Sequence, residues 1–196
     1  MFAVRFHGRG GQGVVTAAEL LAAAAFSEGR HAQAFPSFGS ERMGAPVMSF
    51  CRIDDKPIRT HEPVTAPDAL LIQDATLLRG AVARGEADLF AGLKPGGYVL
   101  LNSARDPGEL GLPDFAARHA GGRLRTLPAS NLAMTYLGRP LPGAPMLAGL
   151  AALTGVVSLD AVLAAIGERF TGTVAAGNAA AARAAFEFLA GVKTDA

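Results

Sequence analysis

Three glycines near the amino terminus, Gly8, Gly10 and Gly13, carry the spacing G-x-G-x-x-G. The apolar run Phe2-Ala3-Val4-Arg5-Phe6 precedes them, and Val14-Val15-Thr16-Ala17-Ala18-Glu19-Leu20-Leu21 follows with helical character. Strand, glycine turn and helix, in that order, form the setting in which this spacing has chemical meaning. One glycine permits the tight turn, another lets a phosphate approach the backbone, and a third lets helix and strand pack closely. The helix N-terminus offers unpaired N–H groups and a partial positive charge to an anion. Within the loop Gly8, Arg9, Gly10, Gly11, Gln12 and Gly13, Arg9 supplies a cation able to pair with phosphate oxygens. The chemistry on offer is the holding of an anion. A reactive set is missing: there is no G-x-S-x-G elbow, no H-E-x-x-H pair and no Walker A lysine after the glycines. The four histidines, His7, His31, His61 and His119, lack metal-ligand spacing. Of these only His7 adjoins the loop, as a structural residue or a ligand contact. No catalytic residue and no metal ligand is assigned.

The elements that must position this loop read as an α/β chain. The first helix is expected from about Gly11 to Glu28, stopped by Gly29, with a second strand over His31–Phe35. A dinucleotide site of the NAD type needs an acidic residue at the end of that strand, about 20 residues past the glycines, to hold the ribose. The chain has Phe35-Pro36-Ser37 there, which argues against NAD. Val47–Ile53 reads as a strand, and Pro57-Ile58-Arg59 as its short returning partner across the turn Asp54-Asp55-Lys56, a small antiparallel hairpin insertion. Ala69–Asp74 and Tyr98–Asn102 are nearly continuous apolar runs, as strands covered on both faces should be. Asp74 falls at the carboxyl edge of such a sheet, as a helix cap or as a ligand contact. Arg123–Leu127 is expected to be the last parallel strand, reached through a crossover helix over Leu112–His119. From Ala129 the chain reads helical: Ala129–Leu137, Met146–Leu153, Leu159–Arg169 capped by Ser158, and Thr173–Ala190, with Asn178 at an interior position where an amide needs a partner. The expected fold is Rossmann-like α/β, a mostly parallel sheet flanked by helices, with a helical C-terminal region, all in a single domain over 1–196.

The stretch Phe35–Pro46, F-P-S-F-G-S-E-R-M-G-A-P, forbids a regular element through its prolines and glycines, yet holds two phenylalanines and a methionine. It is either a loop packed on its own core or a contact surface, since apolar anchors around an arginine suit interface centres. On the second reading Phe35, Ser37, Phe38, Glu41 and Met43 are the interface residues, and Arg42 could complete the anion site if the loop folds back over the strand ends.

Composition excludes several classes. The net charge of +1 leaves no footprint for nucleic acid. Half the residues are hydrophobic, yet no run reaches membrane-spanning length, and no signal-peptide pattern opens the chain; the cytoplasm fits best. The one cysteine, Cys51, cannot form an internal disulfide or ligate a four-cysteine cluster, and reads as a packed strand residue.

Taken together, G-R-G-G-Q-G-V-V-T-A-A-E-L-L, A-Q-A-F-P-S-F-G-S-E-R-M-G-A-P, A-G-L-K-P-G-G and L-G-R-P-L-P-G-A-P-M-L resemble the gamma subunit of 2-oxoacid:ferredoxin (acceptor) oxidoreductases. Two positions depart from the family: Met43 where a second arginine is expected, and Gln73-Asp74-Ala75 where aspartate is more often followed by proline. The resemblance implies a heteromer with alpha, beta and delta-type subunits. It oxidatively decarboxylates a 2-oxoacid on thiamine diphosphate with Mg and passes the acyl group to coenzyme A. Electrons leave through iron–sulfur clusters to ferredoxin or a flavin/NAD subunit. Those centres would sit on the other subunits, with none bound by this chain alone. Under that implication the glycine loop and Arg42 would hold coenzyme A, or the chain would be a connector without a ligand.

Overall fold

The computed structural model describes residues 1–37, 43–78, 89–112 and 123–192. Its centre is a six-stranded sheet made of β1 (Phe2–Arg9), β2 (His31–Pro36), β3 (Pro46–Asp54), β4 (Ala69–Ile72), β5 (Tyr98–Asn102) and β6 (Leu124–Leu127), in the order β2-β3-β1-β4-β5-β6. β1, β4, β5 and β6 run parallel, with Val4 beside Ala69, Leu71 beside Leu100 and Leu100 beside Arg125. All four residues of β4 are buried, because both edges are paired and both faces covered. β3 is antiparallel to both of its neighbours, β1 and β2.

That placement corrects one expectation. Pro57–Arg59 pairs with nothing in the sheet, and it could not pair with β3, whose two edges are already occupied by β1 and β2. The antiparallel insertion is therefore β3 itself, returning between β2 and β1. Leu112–His119, expected as a crossover helix, falls almost entirely outside the described residues.

Side chains alternate across the sheet. Val4, Phe6, Cys51, Ile53, Leu71, Leu100 and Leu127 join one core with α1 (Val14–Ser27) and the C-terminal helices, while Leu70, Ile72, Val99 and Leu101 form a second core on the other face. Those C-terminal helices are α2 (Ala129–Leu137), α3 (Gly143–Thr154), α4 (Leu159–Arg169) and α5 (Gly172–Val192). As expected, Ser158 caps α4, its hydroxyl accepting from the Ala161 N–H at 3.1 Å. α3 is buried from Ala144 to Leu153, apolar all round as a core helix must be. Gly149 lets it lie directly on the sheet: a Cβ there would stand 2.9 Å from both Leu100 and Leu127 and 3.1 Å from Leu189 of α5. At Gly149 the missing side chain thus serves close packing of α3 on the sheet and on α5.

Candidate functional site

The glycine loop lies at the carboxyl edge of the parallel strands. It is held by its own turn and by contacts from two distant segments. The Gln12 N–H donates to the Arg9 carbonyl at 3.0 Å, and the Gln12 side-chain oxygen accepts from the Arg9 N–H at 2.8 Å. Gly11 at φ +92° and Gly13 at φ +72° occupy the left-handed region, where a side chain would strain the turn. Gly8 serves close packing: a Cβ there would meet Val14 at 2.6 Å and Gln73 at 3.3 Å. α1 begins at Val14, three residues later than the sequence suggested, because the loop needs Gly11 and Gly13 in non-helical geometry.

Two partners secure the loop from outside. The segment 43–45 folds onto it. The Gly10 N–H donates to the Ala45 carbonyl at 2.9 Å, the Gly44 N–H donates to the Gly10 carbonyl at 3.1 Å, and the Met43 sulfur lies 2.6 Å from where a Cβ on Gly11 would be. From the other side Asp74 Oδ2 accepts from Gln12 Nε2 at 2.9 Å and pairs with Arg9 Nε at 3.2 Å, while Oδ1 accepts from the Thr76 N–H and hydroxyl at 2.9 and 2.6 Å. Partial burial alone would raise the Asp74 pKa, but the hydrogen bonds from Thr76 and Gln12 and the charge of Arg9 outweigh it and hold the carboxyl below its usual range. Of the two readings of Asp74 the cap is the one seen, at Thr76, and the same side chain also braces the loop through Gln12 and Arg9. Arg9 also donates to the Gly44 carbonyl at 3.0 Å and to the Thr76 hydroxyl, leaving one N–H on each terminal nitrogen without a partner among the described residues.

What the loop leaves open defines its chemistry. The amides of Gly11, Gly13, Val14, Val15 and Thr16 have no hydrogen-bond partner among the described residues; the first helical bond is donated by Ala17 to the Gly13 carbonyl at 2.9 Å. These five N–H groups border two hollows. One, about 340 Å³, is bounded by Arg9, Gly10 and Val47; the other, about 440 Å³, runs from Gly11, Gly13 and Thr16 across to Arg139, Phe170 and Asn178.

The remaining sequence candidates divide. His7 is buried beneath the loop, its Nε2 accepting from Arg5 Nε at 3.0 Å; burial first, and the charge of Arg5 second, lower its pKa to about 3, so the ring is neutral. Cys51 is fully buried, and that burial pushes its thiol well above its usual range, as for a packed strand residue. Phe35 packs on Phe50 with ring centroids 5.2 Å apart and carries the Arg52 guanidinium over its face, while the Ser37 N–H donates to the Met48 carbonyl. Met43 is 88% exposed. Phe38, Glu41 and Arg42 lie outside the described residues. Among the described residues no group of three or more His, Cys, Asp or Glu could hold a metal, and no helix is long and apolar enough to cross a membrane. Sequence reasoning missed the bracing by Gln12, Thr76 and the 43–45 backbone, because side-chain and backbone pairings between distant segments leave no periodic trace.

The NAD reading loses its remaining ground here. β2 is not the neighbour of β1, since antiparallel β3 intervenes. The end of β2, where such a site carries its acid, is therefore not beside β1, and Asp74, the acid that follows β4 at this edge, is engaged by Arg9, Gln12 and Thr76.

Comparison with known proteins places this architecture. A family model described as pyruvate ferredoxin/flavodoxin oxidoreductase matches residues 3–188. The chain belongs to that family. It is 46% identical to pyruvate synthase subunit PorC of Methanothermobacter marburgensis, over 95% of this chain and 97% of that protein. It is 45% identical to the common gamma subunit of the pyruvate/ketoisovalerate oxidoreductases of Thermococcus kodakarensis, over 95% of this chain and 96% of that one. Among solved structures, the pyruvate oxidoreductase subunit PORC of Thermotoga maritima matches with a TM-score of 0.76 and 33% identity, covering 95% of each chain. A 2-oxoglutarate:ferredoxin oxidoreductase from Magnetococcus marinus, bound to 2-oxoglutarate, coenzyme A and succinyl-CoA, shares the fold with a TM-score of 0.73 at 19% identity; this chain covers 32% of it. This member of the oxidoreductase family is thus a gamma-type subunit, one chain of a heteromeric enzyme.

Proposed function

We propose that this gamma subunit serves a 2-oxoacid:acceptor oxidoreductase that makes acyl-CoA, and that its glycine loop holds the phosphates of coenzyme A. The observation that carries the reading is the row of five unpaired amides at Gly11, Gly13, Val14, Val15 and Thr16, facing open space at a helix N-terminus. Arg9 is braced beside them with two spare N–H groups, and Arg42 lies in the adjoining segment. The names of the relatives point to pyruvate or a branched-chain 2-oxoacid as substrate. Thiamine diphosphate with Mg and the iron–sulfur clusters supply decarboxylation and electron transfer, and belong to alpha, beta and delta-type companions; one buried cysteine could not hold a cluster. Ferredoxin, or a flavin/NAD subunit, accepts the electrons, in the cytoplasm. The segment from Phe35 through Ser37, Phe38, Glu41 and Met43 meets those companions. Exposed Met43, seated on the loop, supports that role because it joins the assembly face to the coenzyme A cradle.

The test is kinetic. In the assembled enzyme Arg9→Ala removes a charge-assisted contact and raises the apparent KM for coenzyme A roughly 10–150-fold. 2-Oxoacid-dependent cluster reduction, which needs no phosphate cradle, is much less affected. An intact complex with unchanged coenzyme A dependence would remove Arg9 from the site. If Arg9→Ala and Gly10→Val lost assembly and every activity together, the subunit would be a connector.

A further inference from the structure

Resting on the reading that Phe35 meets the companion subunits, we infer that Arg52 is a positioning residue for that contact: from β3 it holds the Phe35 ring ready for the companion. Side chains on β2 and β3 alternate between two faces. Ala32, Ala34, Cys51 and Ile53 join the core with α1, so Gln33, Phe35, Phe50 and Arg52 share the opposite face. There Phe50 and the buried Val64 form a small apolar base, and Phe35 packs against it half-buried. Its ring centroid lies 5.2 Å from that of Phe50, and the Arg52 guanidinium carbon stands over its face at 5.2 Å. An aromatic pair and a cation–π contact thus act on one ring. The backbone beneath is equally set. Phe35 is opposite Phe50 in the β2–β3 register, and the Ser37 N–H still donates to the Met48 carbonyl two residues on. Phe35 therefore stands, held, at the root of the segment that carries Phe38 and Glu41.

Arg52 is a costly residue for this place. At 6% exposure it forms no ion pair among the described residues. Its Nη2 donates to the Glu62 carbonyl, while Nη1, sealed from solvent, has no partner among them. Gln33, opposite Arg52 in the register, holds an equally sealed Oε1 without a partner there, and its Nε2 meets His61 Nδ1 at 2.7 Å. Burying a charge without an ion pair is unfavourable, and an apolar side chain of similar volume serves folding as well or better. The folded chain alone therefore gives no reason for a guanidinium here. The ring it faces does. A side chain already ordered before association loses less freedom when the partner arrives, and so binds more tightly for the same contacts.

The experiment follows association of the assembled oxidoreductase by sedimentation across a dilution series, beside urea unfolding of the chain. Phe35→Ala should weaken association by about 10-fold or more. Arg52→Met should weaken it roughly 2–10-fold, the effect of one side chain regaining its freedom, without lowering the midpoint of urea unfolding. In the Phe35→Ala background Arg52→Met should add nothing, because its effect runs through the ring. Should Arg52→Met fail to fold, Arg52→Gln, which can still donate to the Glu62 carbonyl but carries no charge, decides by the same cycle. Association unchanged by the Arg52 substitution, or weakened as much without the Phe35 ring as with it, overturns the inference and leaves the contact at Phe35 standing. If Phe35→Ala itself associates as tightly as wild type, the companion contact at Phe35 falls and the inference falls with it.

Discussion

Replacing His7 by Gln offers a sharp check on how the glycine loop is supported. His7 is buried, with a pKa near 3, because its ring sits in the sheet against the Arg5 guanidinium. In the unfolded chain the same imidazole titrates at 6.5. Between these values the unfolded state binds a proton that the folded state does not, so stability is full above pH 6.5 and is lost as the pH falls toward 3. At pH 5 the unfolded side chain is almost wholly protonated and the folded one almost wholly neutral, a loss of about 2 kcal/mol relative to pH 7.5. Gln keeps an acceptor for Arg5 and cannot titrate. Urea unfolding followed by far-ultraviolet circular dichroism at the two pH values should show wild type losing about 2 kcal/mol more than His7→Gln. Equal losses in the two proteins would refute a buried neutral His7. Carboxylates such as Asp74, held below their usual range, act only at lower pH and cancel in the comparison.

Other substitutions test the remaining contacts. Gly8→Val, which drives a side chain into Val14 and Gln73, should destabilise the chain by roughly 1–3 kcal/mol in the same assay. Cys51→Ser should retain cluster reduction in the assembled enzyme while losing roughly 1–3 kcal/mol of stability from a hydroxyl placed in the core. Met43→Ser should weaken association with the companion subunits by about 10-fold or more, read by sedimentation across a dilution series, with little change in the stability of the chain itself.

The sequence made the glycine loop legible because its elements are local: a strand, three spaced glycines and an amphipathic helix declare themselves within thirty residues. The buried strands β4 and β5 and the Ser158 cap were legible for the same reason. Strand order was not. Nothing in the alternation of Val47–Ile53 says that β3 threads between β2 and β1, and that insertion is what leaves Pro57–Arg59 without an edge to join. The clasp of 43–45 on Gly10 is likewise a pairing between distant segments, and so is the bond from Gln12 to Asp74, whose other carboxylate oxygen makes the legible cap at Thr76. Asn178 stood out as an amide inside a helix, but only the packing of α2 onto α5 at Gly177 shows the hollow that it lines.

The central claim concerns the five open amides, and hydrogen–deuterium exchange on the assembled enzyme reads them directly. Adding coenzyme A should slow exchange at Gly11, Gly13, Val14, Val15 and Thr16 by about 10-fold or more, since each hydrogen-bonded amide exchanges only when the ligand leaves. NAD at the same concentration should do nothing. Unchanged exchange at all five with saturating coenzyme A would contradict the claim.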